Sequence, residues 1–290
     1  MLNDFFNLNP GFKVVKTEDE LLDLLTCADA ISDIEYAPDS LAPIRPKNKL
    51  KGKTFTNVSF SKTELRGITF TKCTFIDCLF IGTKFISCEF HGCRFEHCNP
   101  YKASFLDTYI NPEVFVGILD RKKHSNIGVG LFQQLMENSF KRQEPEHAQT
   151  AQYHFRKWLR FQHTYEYFHG EIGFWPYIRK WLPSFLYDHL AGYGIRVAPF
   201  LWLTAGWLLM MTAFNRLYWE QFDMSISACP GGIKAWVMSF YYTVVTMTTL
   251  GYGDIVPRSN AGMVAASAEA LLGLLWLSLL ASIVIKKVWR

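Results

Sequence analysis

The chain has 290 residues and a mass of 33.5 kDa, enough for more than one domain. Its hydrophobic content of 49% and aromatic content of 16% exclude a disordered or collagen-like chain, and a net charge of +4 is too small to indicate a nucleic-acid partner. Residues 1–170 are polar and charged, whereas residues 197–285 contain two long apolar runs, which excludes an ordinary soluble enzyme. Because no nucleophile–base pair, phosphate loop or metal cluster stands out, we predict neither catalysis nor a cofactor.

The N-terminal segment, residues 1–46, is expected to contain one short amphipathic helix over residues 17–30. That stretch begins with Thr-Glu-Asp-Glu, which is typical of a capped helix start. No basic segment followed by an apolar run precedes it, so we expect no signal peptide and a cytoplasmic location for this part of the chain.

A five-residue repeat dominates residues 47–110. An apolar residue recurs at every fifth position, and Phe105 and Ile110 restore the register after Pro100. The series is Phe55, Phe60, Leu65, Phe70, Phe75, Phe80, Phe85, Phe90 and Phe95. A period of five fits neither an α-helix nor a flat strand, but it fits a solenoid that turns a corner every five residues. The segment resembles the pentapeptide-repeat family, which implies a right-handed quadrilateral β-helix with about twenty residues per coil.

Five cysteines lie two residues before a repeat phenylalanine or the equivalent position. They are Cys73, Cys78, Cys88, Cys93 and Cys98. Their spacing on a continuous solenoid is unlike that of zinc-finger ligands, so we expect them to pack as small side chains in the interior. Residues 47–107 carry ten Lys/Arg against five Asp/Glu, which argues against mimicry of DNA. A cytoplasmic regulator is the partner that we leave open for this domain.

Residues 111–170 are expected to close the solenoid and to form a helical hairpin. Asn111, Pro112 and Glu113 provide an N-cap, a first-turn proline and a first-turn acid, which predicts a capping helix. Apolar residues at helical spacing predict the hairpin helices over residues 130–143 and 145–169.

Residues 171–195 mix aromatic and basic side chains and predict an interfacial helix that leads into the membrane. These side chains are Trp175, Arg179, Lys180, Trp181, Phe185 and Tyr187. A plain linker rich in aromatic residues is the alternative.

Two apolar runs, residues 197–215 and 261–285, predict membrane spans. As helices they would be about 28 Å and about 37 Å long, enough to cross the hydrocarbon core of a bilayer. The first run has no charged residue, and Glu269 is the one charge in the second. Basic residues are more frequent outside the two runs than between them, so we expect both termini in the cytoplasm of a plasma or bacterial inner membrane.

The segment between the spans, 235–257, reads as a short apolar helix that ends in a glycine-containing loop. Alternate glycines permit positive φ values, so that successive carbonyls can face one axis and replace the water shell of a cation. The signature is Thr248, Thr249, Leu250, Gly251, Tyr252, Gly253 and Asp254. It resembles the selectivity filter of the potassium channel family, in particular the voltage-gated and bacterial members. The resemblance implies that the carbonyls of residues 249–252 and the Thr249 hydroxyl coordinate K⁺.

Four side chains are candidates for support of this filter. Asp254 and Thr248 flank it, and Tyr241 and Tyr242 take the places of a tryptophan pair in the voltage-gated relatives. The tyrosine hydroxyls are expected to bond Asp254 and Tyr252 respectively. A second Gly-Tyr-Gly, residues 192–194, lacks the flanking threonines and aspartate, and we expect a loop there.

The second span contains the gate candidates Gly273, Leu277, Ala281 and Ile285. Gly273 follows Gly251 at the spacing at which the family carries a hinge glycine. We favour a hinge over the alternative, close packing between helices. Glu269, one turn earlier, is either functional or a structural partner of the pore helix, and we favour the structural role.

The sequence therefore predicts a multi-domain membrane protein with a pore domain over residues 196–290. Its outer helix is expected at about 197–217, its pore helix at about 235–248, its filter at 249–254 and its inner helix at about 260–288. Because one loop supplies a quarter of each ion cage, we expect a homotetramer in membrane lipid that conducts K⁺. The alternative is a membrane-anchored scaffold with a non-conducting pore. A short connection at Gly170 and Gly173 predicts that the N-terminal domain biases assembly or opening of the pore.

Overall fold

The computed structural model describes residues 5–41, 49–192, 198–226 and 232–288. The chain divides into an N-terminal unit, Met1–Phe185, and a C-terminal unit, Leu186–Arg290. The strands all lie in the N-terminal unit; they are β1 (Lys13–Val15), β2 (Ala30–Tyr36), β3 (Ser40–Leu41), β4 (Lys49–Lys51), β5 (Thr54–Ser59), β6 (Glu64–Arg66), β7 (Thr69–Thr71), β8 (Thr74–Ile76), β9 (Lys84–Ile86), β10 (Glu89–His91), β11 (Arg94–Glu96) and β12 (Ser104–Leu106). The helices are α1 (Glu18–Cys27), a 3-10 helix (Pro112–Phe115), α2 (Ser125–Lys141), α3 (Pro145–Phe168), α4 (Phe174–Ala191), α5 (Ala198–Leu217), α6 (Ile233–Met247) and α7 (Asn260–Val288).

The strands form a four-sided solenoid, which confirms the predicted β-helix. Three parallel sheets have the orders β1-β2-β5-β8-β11, β4-β7-β10 and β3-β6-β9-β12. Parallel bridges that join Ser59, Leu79 and Asn99 make the fourth side. Since paired residues lie twenty positions apart, the repeat phenylalanines stack in buried columns: the ring centroids of Phe55 and Phe75 are 5.0 Å apart, and those of Phe75 and Phe95 are 4.9 Å apart.

The corners of the regular five-residue turns are residues with positive φ. At each fifth position from 52 to 107, φ lies between 50° and 68°. Glycine occupies four of these corners, and larger residues such as Lys72 and His97 occupy others despite the steric cost of the left-handed conformation. The regular turn, repeated at one spacing, is what lets a period of five close into a square coil.

The five buried cysteines form hydrogen bonds inside the solenoid. Each donates its thiol hydrogen to a carbonyl of the preceding coil, for example Cys78 to the Phe55 carbonyl at 3.4 Å. Thr83 and Thr108 occupy the same position in other turns and make the same bond, at 2.7 Å and 2.9 Å. Val58, Ile68 and Ala103 occupy the same position without a donor, so the position favours a buried side chain and does not depend on the hydrogen bond.

The solenoid begins earlier than residue 47, where we predicted its start. Strands β2 and β3 extend two of its sheets, with Ile31 paired to Phe55 and Leu41 paired to Leu65. This first coil contains more residues than the later ones, and their number is not a multiple of five. The five-residue register is therefore lost, and the sequence pattern does not reveal the coil. Helix α1 is shorter than the predicted 17–30, because Ala28 already has extended backbone angles before β2.

The predicted capping helix is a single 3-10 turn. The Asn111 side chain accepts a hydrogen bond from the Glu113 amide at 2.9 Å, and Phe115 then packs on Phe95 with 4.7 Å between ring centroids. This one aromatic side chain covers the end of the phenylalanine column, so a longer helix is not needed to close it.

Helices α2 and α3 form an antiparallel hairpin on the last coil. Asn138 of α2 accepts a hydrogen bond from the Thr108 amide at 3.0 Å and donates one to the Thr108 carbonyl at 2.7 Å. Helix α2 begins five residues before the predicted position 130, and Gly128 within that added turn lies against the Trp158 ring of α3. The small glycine allows the two helices to approach closely.

The predicted interfacial segment is the helix α4, which contains Pro183. Residues 171–173 precede the helix, and residues 193–197, including part of the second Gly-Tyr-Gly, lie outside the described residues. An aromatic series continues from the end of α3 into α4, in which the rings of Tyr167 and Tyr177 stack at 4.6 Å and those of Trp181 and Phe185 at 4.7 Å.

The C-terminal unit consists mainly of α5, α6 and α7. Among the helices that the structure describes, one is long and apolar enough to cross a membrane, and this is Asn260–Ser282 within α7. The other predicted span falls on α5, which has 20 residues and includes Trp202, Trp207 and Asn215. Spanning by α5 therefore stays a prediction.

Candidate functional site

The candidate site is the loop that follows helix α6. The helix ends at Met247, and the Thr248 amide and hydroxyl both donate to the Val244 carbonyl, at 2.9 Å and 2.6 Å. The amides of Leu250 and Gly251 fold back to the Val245 carbonyl at 3.1 Å and 3.3 Å. The start of the loop is thus attached directly to the last turn of the helix.

The backbone of the loop alternates in conformation. Thr249, Gly251 and Gly253 have φ values of 58°, 54° and 75°, whereas φ is not positive at Leu250 and Tyr252. Glycine adopts such angles without steric cost, which explains the glycines at alternate positions. The Leu250 and Tyr252 side chains are 60% and 66% exposed within one chain. Among the described residues of one chain, no element covers these two side chains.

One of the two predicted tyrosine contacts is present. The Tyr241 hydroxyl donates to an Asp254 carboxylate oxygen at 2.7 Å, and the rings of Tyr241 and Tyr252 lie parallel with 6.5 Å between centroids. Tyr242 is buried instead, with its ring edge-on to Trp219 at 6.2 Å. Within the described part of one chain, the predicted bond between Tyr242 and Tyr252 is not formed.

The Asp254 side of the loop has a further support that the sequence analysis missed. The Ser225 hydroxyl donates to the Asp254 carbonyl at 3.2 Å and accepts from the Val256 amide at 3.1 Å. Asp254 also receives the Ile255 amide on its carboxylate at 3.0 Å. Because Ser225 is distant from Asp254 in the sequence and lies in a segment without a motif, no sequence signal marks it.

Gly273 lies where helix α7 crosses the end of helix α6. A Cβ atom at this position would lie 2.2 Å from the Met247 carbonyl oxygen and 2.6 Å from the Met247 Cα. This contact supplies the packing explanation that we ranked second to a hinge. The other gate candidates, Leu277, Ala281 and Ile285, are exposed within one chain. The structure of one chain does not bring them together, and their role as a gate stays a prediction.

Glu269 is buried among the three helices of the C-terminal unit. Both its carboxylate oxygens accept from the Asn215 side-chain amide, at 3.1 Å and 3.0 Å, and the same amide lies 2.8 Å from the Thr243 hydroxyl. Asn215 and Thr243 were not singled out from the sequence. The signal was present, because Asn215 is the most polar residue of an otherwise apolar run.

Two known protein families match this sequence, each over one part of the chain. The family described as "Ion channel" matches residues 197–290, and the family described as "Pentapeptide repeats" matches residues 63–99 with eight copies. Both matches cover separate parts of the chain, as the two units do.

Curated relatives match over a short stretch. The A-type voltage-gated potassium channel KCND3 of Homo sapiens and that of Rattus norvegicus are each 46% identical over 52 residues. The potassium voltage-gated channel protein Shal of Drosophila melanogaster is 42% identical over 52 residues. These matches span 18% of this chain but only 8% to 9% of the relatives.

One solved structure, that of QnrB1, a plasmid-mediated fluoroquinolone resistance protein, is 18% identical and covers 27% of this chain and 54% of its own, with a TM-score of 0.11. That likeness is too slight to support an argument. The family matches, by contrast, coincide with the repeat columns and with the loop after α6. The chain therefore carries pentapeptide repeats followed by an ion channel domain, and that domain implies a location in a membrane.

Proposed function

We propose that this protein is a potassium-selective channel that works as a homotetramer. The observation that carries the proposal is the alternation of positive φ at Thr249, Gly251 and Gly253. An alternating backbone can turn successive carbonyl oxygens toward one axis, where they replace the hydration shell of K⁺. The similarity of a 52-residue stretch to potassium channels supports the choice of K⁺ over other ions.

The Thr249 hydroxyl fits the role of the innermost ligand. It donates its hydrogen to the Thr248 carbonyl at 2.6 Å, so its lone pairs stay available to a cation. The ligand set that we propose is this hydroxyl with the carbonyls of Thr249, Leu250, Gly251 and Tyr252. Hard oxygen ligands of this kind suit an alkali cation.

Four copies of the chain are needed to complete such a site. A single loop offers oxygen atoms from one side only, and closed fourfold symmetry would surround the ion. The exposure of Leu250 and Tyr252 within one chain supports this, because apolar side chains beside a pore are expected to pack on a neighbouring subunit. The proposed orientation places both termini in the cytoplasm.

We further propose that the pentapeptide-repeat domain biases assembly or opening of the pore. Deletion of residues 1–170 should leave K⁺ selectivity intact but change the tetramer yield or the open probability. Size-exclusion chromatography and single-channel recording would measure both. A truncated pore that assembles and opens like the full chain would reduce the domain to a passenger or a recruitment module.

A reconstituted-liposome flux assay tests the proposed channel. Gly251→Ala should abolish K⁺ flux, because alanine at a φ of 54° strains the loop that would hold the ion. Gly206→Ala is the matched control, since an added Cβ meets nothing within 4 Å there and φ is not positive. Equal flux of K⁺ and Na⁺ in the unmodified chain, or full flux in Gly251→Ala, would contradict the proposal.

A further inference from the structure

We infer that Asn215, Thr243 and Glu269 form a polar clamp that positions helix α6, and with it the filter loop, against α5 and α7. The inference rests on the proposed function, because it assigns positioning residues to the potassium site. None of the three side chains is expected to touch the ion.

The clamp joins three helices through one amide group. The Asn215 nitrogen on α5 lies 2.8 Å from the Thr243 hydroxyl on α6, and 3.1 Å and 3.0 Å from the two carboxylate oxygens of Glu269 on α7. Asn215 is 1% exposed, Thr243 is fully buried and Glu269 is 5% exposed. The contacts are therefore made within one chain and are closed to solvent.

The surroundings of Glu269 leave Asn215 as its polar partner among the described residues. A cavity of about 290 Å³ lies beside the carboxylate, and its other lining residues are apolar: Met210, Met211, Phe214, Ala265, Ala268 and Leu272. A buried carboxylate without a hydrogen-bond partner is costly, and more so in a membrane environment. Removal of Asn215 alone is thus expected to be more damaging than loss of the Thr243 hydroxyl.

The clamp lies next to a second contact between α6 and α7, the packing of Gly273 on the Met247 backbone. Thr243 is one turn before Met247, and Glu269 is one turn before Gly273, whose Cα packs against the Met247 backbone. Two attachments, one turn apart on each helix, fix both the rotation and the depth of α6. Since the amides of the filter loop bond to the Val245 carbonyl, a shift of α6 is transmitted to the loop.

The test compares two substitutions at one position in the full-length chain in liposomes. Thr243→Val keeps the shape of the side chain and leaves the Asn215–Glu269 pair intact, but it removes the hydroxyl from the clamp. Thr243→Ser keeps the hydroxyl. We expect the ratio of K⁺ to Na⁺ flux to fall by about tenfold in Thr243→Val and to stay within about threefold of the unmodified chain in Thr243→Ser.

Two further variants complete the experiment. Ser267→Ala is the matched control on α7, because Ser267 is exposed and, among the described residues, its hydroxyl bonds to the Met263 carbonyl of its own helix alone; the flux ratio of this variant should be unchanged. The triple variant Asn215→Leu, Thr243→Val, Glu269→Leu replaces the clamp by apolar groups. It should assemble as judged by size-exclusion chromatography and still show the lowered flux ratio, because an apolar contact does not fix the rotation of α6.

The outcomes separate the two proposals. If the unmodified chain conducts selectively and Thr243→Val and the triple variant keep its K⁺:Na⁺ ratio, the clamp is overturned while the channel stands. If the unmodified chain shows no K⁺ flux, the proposed function fails and the clamp with it. A low ratio in Thr243→Val together with a normal ratio in Thr243→Ser supports the clamp.

Discussion

Gly273 offers a direct choice between a hinge and a packing contact. A methyl group added there would lie 2.2 Å from the Met247 carbonyl oxygen, whereas ordinary van der Waals contact begins at 3.4 Å. The two backbones must therefore separate by the difference between these distances. Overpacking of this kind costs about 1–3 kcal/mol, which outweighs the gain of up to about 1 kcal/mol from alanine in a helix interior.

Gly273→Ala is thus expected to lower the thermal midpoint of the full-length protein and, if the proposed function holds, to reduce its K⁺:Na⁺ flux ratio. The ratio falls because Met247 lies two residues before Thr249, so the displaced backbone shifts the start of the filter loop. Gly206→Ala, where the new methyl group has free space, should raise the midpoint or leave it unchanged. If Gly273 is a hinge, alanine should instead raise the thermal midpoint and leave the K⁺:Na⁺ flux ratio unchanged. If Gly273→Ala melts higher and selects K⁺ normally while its gating changes, the packing argument is wrong.

Three further predictions concern single contacts. Tyr241→Phe removes the 2.7 Å bond to Asp254 and should alter conductance or inactivation in single-channel recordings; an unchanged channel would count against this support. Gly128→Ala places a Cβ atom 2.2 Å from the Trp158 ring and should destabilise the N-terminal unit by about 1–3 kcal/mol in thermal unfolding followed by circular dichroism. Burial lowers the pKa of His124 from 6.5, against the opposing effect of a nearby carboxylate, so its protonation favours the unfolded state. Acidification from about pH 7 to about pH 5 should lower the midpoint, and His124→Gln should remove part of that loss.

The backbone conformation of the loop after α6 and the solenoid were predictable because each is encoded in neighbouring residues; the function of that loop as a filter stays a prediction. The alternate glycines Gly251 and Gly253 specify a backbone conformation directly, and the repeat phenylalanines record the period of the coil. The same reasoning did not predict β2. The coil that joins Ile31 to Phe55 is longer than a regular coil, so its residues do not follow the five-residue repeat.

Contacts between residues that are distant in the sequence were harder to predict. Glu269 was expected to meet the pore helix, but its link through Asn215 joins residues 54 positions apart and depends on how three helices pack. Gly273 shows the same limit. A glycine in a helix permits both bending and close approach, and only the position of the Met247 backbone shows that close approach occurs.

The most direct test of the proposed function is the reversal potential of the reconstituted full-length chain in a planar bilayer with KCl on one side and NaCl on the other. We expect a reversal potential displaced from zero in the direction set by K⁺ permeation, and loss of the current in Gly251→Ala. A reversal potential at zero, or a current that persists unchanged in Gly251→Ala, would contradict a potassium-selective filter at residues 249–253.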